Sequence, residues 1–209
     1  AAMPVTAHEP VEDPAELEEV LVLGRARNLV GSAISASEGR AGQPEIDSRP
    51  ILRTGELLEL IPGMIVTQHS GTGKGNQMFL RGFNLDHGTD FATWVDGMPV
   101  NMRSHAHGQG YTDVNFLIPE MVQELEFRKG PYYADVGDFS SAGSAHFETF
   151  SWMPQDVVKL AGGEDGYARG LVAGSAALGA NNLVYAVEAQ QYDGPWDDID
   201  EDLKKYNGM

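Results

Sequence analysis

The sequence predicts an α+β domain, a small mixed sheet with short helices and long glycine-rich loops, followed by a few antiparallel strands. Three observations predict it. Glycine supplies 25 of the 209 residues, well above the usual ~7%, and its spread along the chain suits many turns and bulges. Before Phe150, short β-prone runs are interspersed with one amphipathic helical run and one helical turn. After Phe150 the pattern changes to strands with a period of two.

Residues 1–18 hold Pro4, Pro10, Pro14 and carboxylates from Glu9 to Glu18, a composition that predicts a flexible acidic leader. Glu19-Val-Leu-Val-Leu-Gly24 is a short β-prone run between charge and glycine. Residues 25–50 are mixed and polar, and predict loop with one short strand. Thr54–Leu60 predicts a helix: Thr54 caps it, Glu56 and Glu59 favour its start, and Leu57, Leu58 and Ile61 form a stripe. Pro62-Gly63 stops it. Strands are expected at 64–68, 77–81, 91–95 and 124–128, and a helical turn at 119–122 with Pro119 leading it. Beyond Phe150, strands are expected at 156–161, 167–176 and 183–192. In the last, Leu183, Tyr185, Val187 and Ala189 alternate with Val184, Ala186, Glu188 and Gln190. The Asp193–Asp202 stretch, with six carboxylates and no base, predicts a solvated hairpin loop or linker.

Composition narrows the function classes. A hydrophobic fraction of 42% supports a packed core. Fourteen basic against 31 acidic side chains, a net charge of −17, argue against nucleic acid, which needs clustered Lys and Arg. The absence of cysteine removes disulfides, thiolate metal sites and cysteine nucleophiles. No apolar run approaches the roughly 18 residues of a transmembrane helix. Ala1-Ala2 suits the residues that follow a signal-peptide cleavage site.

Several short motifs, in order, carry a family resemblance. They are Glu19-Val-Leu-Val-Leu-Gly24, Glu56-Leu-Leu-Glu-Leu-Ile-Pro-Gly63, Phe79-Leu-Arg-Gly-Phe83 and Trp94-Val-Asp-Gly-Met-Pro99. Ile118-Pro-Glu-Met-Val-Gln-Glu-Leu-Glu-Phe-Arg-Lys-Gly-Pro131 and the glycine motif from Tyr133 to Gly143 complete the set. In that order the chain resembles the plug domain of TonB-dependent outer-membrane receptors, over residues 19–150. The last motif departs from the family's usual "YG…GG". The resemblance implies residues 25–150 as plug and 151–209 as the first strands of an incomplete barrel. A plugged barrel of about 22 strands of about 10 residues needs roughly 220 residues in strands, so the expectation is a fragment of a receptor or one whose barrel is absent.

What the resemblance implies about function is active uptake across the outer membrane, without enzymatic chemistry or a cofactor. An extracellular ligand, an iron–siderophore or another scarce nutrient, binds above a plug that faces the periplasm. The TonB periplasmic domain engages the TonB box, Glu19, Val20, Leu21, Val22, Leu23 and Gly24, by strand addition; the alternative is that Val20–Leu23 is a first core strand. Arg81 and Arg128 are implied to lock the plug to barrel glutamates, with local pairing to Glu126, Asp96 or another acid as the alternative. His69, Met102, His105 and His107 are implied to lie in ligand-facing loops, with Asp86-His87 on the opposite, periplasmic side.

Those histidines and Met102 have the chemistry for zinc or copper, but solvated histidines in polar loops are the preferred reading, and no metal is expected. Gly71-Thr-Gly-Lys-Gly75 lacks the spacing and hydroxyl of a phosphate loop. No nucleophile elbow or zinc-protease motif occurs, and the 193–202 carboxylates lack EF-hand spacing. The rival reading is a soluble acidic domain that binds metal, or hydrolyses with it, through His69, His105 and His107.

Overall fold

The computed structural model describes residues 32–69, 71–198 and 201–209; the expected leader and the 19–24 run lie outside them. The polar 25–50 stretch holds more structure than expected. Strands β1 (Ser32–Ser35) and β2 (Glu38–Gly42) form a hairpin, and helix α1 (Gln43–Ser48) follows. The helix begins with Pro44 in its first turn, and the Glu45 carboxylate accepts the Gly42 N–H at 3.1 Å, an N-terminal arrangement that satisfies a donor the helix leaves free.

Thr54–Leu60 is helical, as a 3₁₀ segment capped by Arg53 rather than an α-helix capped by Thr54. The Glu56 carboxylate reaches back to the Leu52 and Arg53 N–H groups at 2.9 and 3.2 Å. Leu57, Leu58 and Ile61 are fully buried and share one core with Phe91, Leu125 and Phe147. Burying each such side chain contributes about 1.5–3 kcal/mol.

Next come β3 (Met64–Thr67), β4 (Gln77–Leu80) and β5 (Phe83–Asn84), a three-stranded antiparallel sheet. Arg81 lies in the turn of this hairpin rather than in the strand expected at 77–81. Leu80 pairs with Phe83, and both Arg81 and Gly82 have positive φ, at 53° and 80°. Two-residue hairpins prefer that conformation because it matches the strand twist. The Asp96-Gly97 turn between β6 (Phe91–Val95) and β7 (Met98–Pro99) repeats it, with φ of 49° and 78°. The Asp96 carboxylate then accepts the Thr149 N–H at 2.8 Å and hydroxyl at 2.7 Å.

The Pro119–Met121 turn is 3₁₀ and leads into β8 (Val122–Lys129), and β9 (Gly143–Thr149) is a strand that the sequence patterns missed. The six-stranded sheet runs β1-β2-β8-β9-β6-β7, with β6 and β9 parallel. The four-stranded sheet is β10 (Val157–Gly162), β11 (Ala168–Leu178), β12 (Asn181–Tyr192) and β13 (Leu203–Gly208), antiparallel in chain order. Strand β13 was also missed, and the acidic 193–202 stretch is the loop before it.

The last sheet has its faces reversed relative to a water-soluble layer. Facing the domain are Arg169, Leu171, Ala173, Ala186 and the 2%-exposed Glu188; facing away are Val158, Leu160 at 87% and Val187 at 63%. The register sets Val158, Val172 and Val187 side by side in one outward row. Of the two faces expected for 183–192, the apolar one points away from the domain. Ile118, Met121, Leu171, Ala173 and Ala186 form the apolar part of the contact between sheet and domain.

Gly143 opens β9 where β8, β9 and β6 meet. Its φ is +147°, and a Cβ there would collide with the Arg128 carbonyl and stand 3.0 Å from Lys129 Cα. Gly143→Ala is expected to destabilise the domain by about 2–4 kcal/mol, from backbone strain plus overpacking, as read by urea denaturation.

Candidate functional site

Two constellations stand out, one in the loops of the first domain and one where the last sheet meets it. In the loops, Asn101 holds three segments together. Its amide donates to the carbonyls of Gly88, Phe91 and Gly110, each at 3.0 Å, and its oxygen accepts the Thr93 N–H at 2.7 Å. Met102, expected in a ligand-facing loop, is half exposed and bridges to Tyr111, its N–H donating to the Tyr111 carbonyl at 2.9 Å. The Tyr111 hydroxyl accepts the Gly75 N–H at 2.7 Å, so the tyrosine ring is fixed between loops.

Around that ring the structure gathers three histidines, His87, His105 and His107, with His69 against His87. His105 stacks on Tyr111 with centroids 4.1 Å apart, and its Nδ1 accepts the His107 N–H at 3.2 Å. Contrary to what the resemblance implies, His87 does not lie on the side opposite His69. It stands instead with its Nε2 3.1 Å from His69 Nε2 and its ring centroid 4.5 Å from that of His107. Asp86 Oδ1 lies 3.9 Å from the Nε2 atoms of both His87 and His107. Thus His69 and His107 flank His87, while His105 turns to the tyrosine.

His87 is 1% exposed. Burial pushes its imidazole pKa down, against the raising charge of Asp86, which favours the neutral ring. Its Nδ1 faces the Asn76 carbonyl at 3.1 Å; a carbonyl only accepts, so Nδ1 carries the proton and Nε2 a lone pair. No sequence pattern pointed at His87, because Asp86-His87-Gly88 reads as an ordinary polar turn. Thr72, in the rejected phosphate-loop stretch, gives its N–H to a carboxylate instead, Glu201 at 3.0 Å.

Arg128 packs 5.0 Å from the Tyr133 ring centroid and pairs with Asp135 at 3.0 Å and Glu126 at 3.2 Å. Arg81 is exposed, with no carboxylate in ion-pair range among the described residues. The ion pairs that join domain to sheet have the opposite polarity, with the acid on the domain. Glu120, in the Pro119–Met121 turn, accepts a two-pronged pair of bonds from Arg169 of β11, each 2.8 Å long, and a third from Lys159 of β10 at 3.0 Å. Arg169 also donates through Nε to Glu188 of β12 at 2.6 Å, and Lys205 of β13 reaches Glu188 at 2.7 Å. Fork-to-carboxylate geometry of this kind is the strong form of ion pair. Glu120 was missed because a carboxylate in a 3₁₀ turn looks solvated until its basic partners, some 40 to 50 residues away, are placed.

Burial alone pushes the Glu120 carboxyl pKa up, but the hydrogen bonds and charge of Arg169 overrule it and hold the pKa at about 2, below the ordinary 4.5. A depressed carboxylate stabilises the fold fully above its unfolded pKa and loses that contribution as pH falls through the folded one. Docking of the sheet on the domain should therefore weaken from about pH 4.5 down to about pH 2. Glu120→Ala, which removes the two-pronged partner of Arg169 and leaves it Glu188 alone, is expected to cost about 3 kcal/mol at neutral pH and to flatten that acid transition. Denaturation of the chain in detergent across this pH range measures both.

The comparisons fit this architecture. The family model for the TonB-dependent receptor plug domain matches residues 32–144. Among solved structures, the copper transporter OprC is 21% identical at a TM-score of 0.61, over 85% of this chain and 27% of that one. The ferric yersiniabactin uptake receptor FyuA from Yersinia pestis is 20% identical at 0.58, over 82% and 28%. The siderophore receptor PirA from Pseudomonas aeruginosa is 19% identical at 0.56, over 85% and 32%. This chain thus spans under a third of the length of each of these receptors. A plug-type domain carrying an antiparallel sheet with an inward-facing charge cluster is the arrangement seen, and the chain belongs to the family of TonB-dependent receptor plug domains.

Proposed function

We propose that this chain is the plug and first barrel strands of an outer-membrane active-transport receptor. The observation that carries the proposal is the reversed sheet. A soluble antiparallel layer turns its apolar face to the core, whereas a transmembrane barrel turns it outward and keeps charge inside. Here Val158, Leu160, Val172 and Val187 face away, while Arg169 and Glu188 face the plug. The reading extends the sheet into a closed barrel, since open strand edges do not face lipid.

In this reading the plug faces the periplasm and the TonB periplasmic domain binds residues 19–24 as an added strand. Arg81, and Arg128 in addition to its local pairs with Asp135 and Glu126, meet glutamates of the barrel wall beyond the four strands described. The loops bearing His69, Met102, His105 and His107 face the incoming ligand. The neighbours' names, a copper transporter and siderophore receptors, support a scarce-nutrient cargo and a receptor rather than an enzyme. The rival soluble metal domain leaves both the plug match and the reversed sheet without a reason.

Two outcomes are expected. Val187→Arg should destabilise the chain folded in lipid vesicles by about 2–4 kcal/mol if Val187 meets the bilayer core; an exposed site on a soluble protein would tolerate it within about 0.5 kcal/mol. A peptide of residues 18–25 should bind the TonB periplasmic domain, and proline at Leu21 or Val22 should abolish binding by removing a ladder N–H. Undiminished binding of the proline peptides in a fluorescence titration would rule out strand addition.

A further inference from the structure

The loop cluster around His87 has the makings of a cation site. Asp86, His87 and His107 present one carboxylate oxygen and two ring nitrogens, all within 4.8 Å of one another. His69 adds a third imidazole, its Nε2 at 3.1 Å from that of His87. Two nitrogens bound at 2.0–2.1 Å to a tetrahedral zinc ion stand about 3.4 Å apart. The His69–His87 separation is thus already close to that of two ligands on one ion.

His87 is prepared in the manner of a ligand. Its Nδ1–H is spent on the Asn76 carbonyl at 3.1 Å, which orients the ring and leaves the Nε2 lone pair pointing into the cluster. A backbone carbonyl behind a histidine is the usual outer support of a metal-bound imidazole. In the metal-free form, His69 Nε2–H donates to that lone pair; binding needs a tautomer change at His69, to Nδ1–H, with no change of net charge, and a closing-in of the exposed His69, His107 and Asp86 side chains. His107 and Asp86 are each about half exposed on their side chains, so an ion has a way in.

We propose that Asp86, His87 and His107, with His69 as fourth ligand, bind a divalent first-row transition-metal ion of the zinc or copper(II) type. Imidazole nitrogens with one carboxylate suit such ions, while calcium and magnesium prefer all-oxygen sets. His105 is excluded from the ligand set because its ring stacks on Tyr111 and its Nδ1 holds the His107 N–H. The ligand identity departs from the sequence expectation of no metal, and the reason is His87: without it the loops offer no buried, oriented imidazole. The site rests on the receptor reading for its meaning as a point of cargo contact. Its test does not, because binding in solution needs neither TonB nor flux.

Zinc sulfate and, separately, copper(II) are titrated calorimetrically into the whole chain in detergent at neutral pH. One equivalent is expected to bind with a dissociation constant in the micromolar range or below, about −8 kcal/mol. His107→Ala and His69→Ala should each weaken binding at least about tenfold, while His146→Phe, which keeps the stack of β9 on Trp94 of β6, should bind as the wild type does. His87 is too buried for its alanine variant to separate ligation from folding. Imidazole NMR of the wild type covers it: zinc should shift the resonances of His69, His87 and His107 and leave His146 in place. Wild-type binding weaker than about 100 µM, roughly −5.5 kcal/mol, would overturn the assignment. So would unchanged affinity in His107→Ala, or zinc-induced shifts that spare His87. A loss of TonB binding by the 18–25 proline peptides bears on the receptor reading and on none of these outcomes.

Discussion

Arg169 lies between two carboxylates that belong to different parts of the fold, Glu120 of the plug and Glu188 of the neighbouring strand. Both acids are nearly sealed from solvent, and a buried charge is tolerated only when partners and hydrogen bonds surround it. Lys159 and Lys205 supply the remaining partners. Once this cluster faces the plug, strand geometry dictates the rest, because successive side chains point to opposite faces. Val158, Val172 and Val187 must then face outward. The same pairing that docks the sheet therefore produces the apolar outer surface on which the membrane reading depends.

Around the charges, Ile118, Met121, Leu171, Ala173 and Ala186 close an apolar contact. The division of labour is physical. Apolar burial supplies non-directional attraction, while the two-pronged Arg169–Glu120 bonds set the angle and register at which the sheet meets the plug. The plug's own core is independent of this contact, since Leu57, Leu58, Phe91, Leu125 and Phe147 lie in a separate cluster.

The loop cluster follows a different logic. Binding residues concentrate on loops that a rigid scaffold positions, and here the scaffold is polar rather than apolar. Asn101 binds three carbonyls, Tyr111 takes the Gly75 N–H, and Thr112 gives its N–H to the His87 carbonyl at 2.7 Å. These bonds offset the entropy that the glycine-rich segments lose on being fixed. The histidines are thus brought together by their neighbours' hydrogen bonds rather than by each other.

The sequence by itself determined the family, through motifs in order, and most of the local elements. The helical run at 54–60, the Asp96-Gly97 turn and the strands at 91–95 and 183–192 were all legible, because turn residues and hydrophobic period act over a few neighbours. It also showed that 183–192 has one apolar and one polar face. Strands β9 and β13 were not legible, since Gly143–Thr149 and Leu203–Gly208 carry little alternation and owe their extended form to the partners they pair with. Only the tertiary structure decided which face of β12 turns inward, which acid meets Arg169, and that His87 joins His69 and His107. Those outcomes depend on contacts between residues some 18 to 50 positions apart, and a pattern read along the chain contains the side chains but not the distances between them.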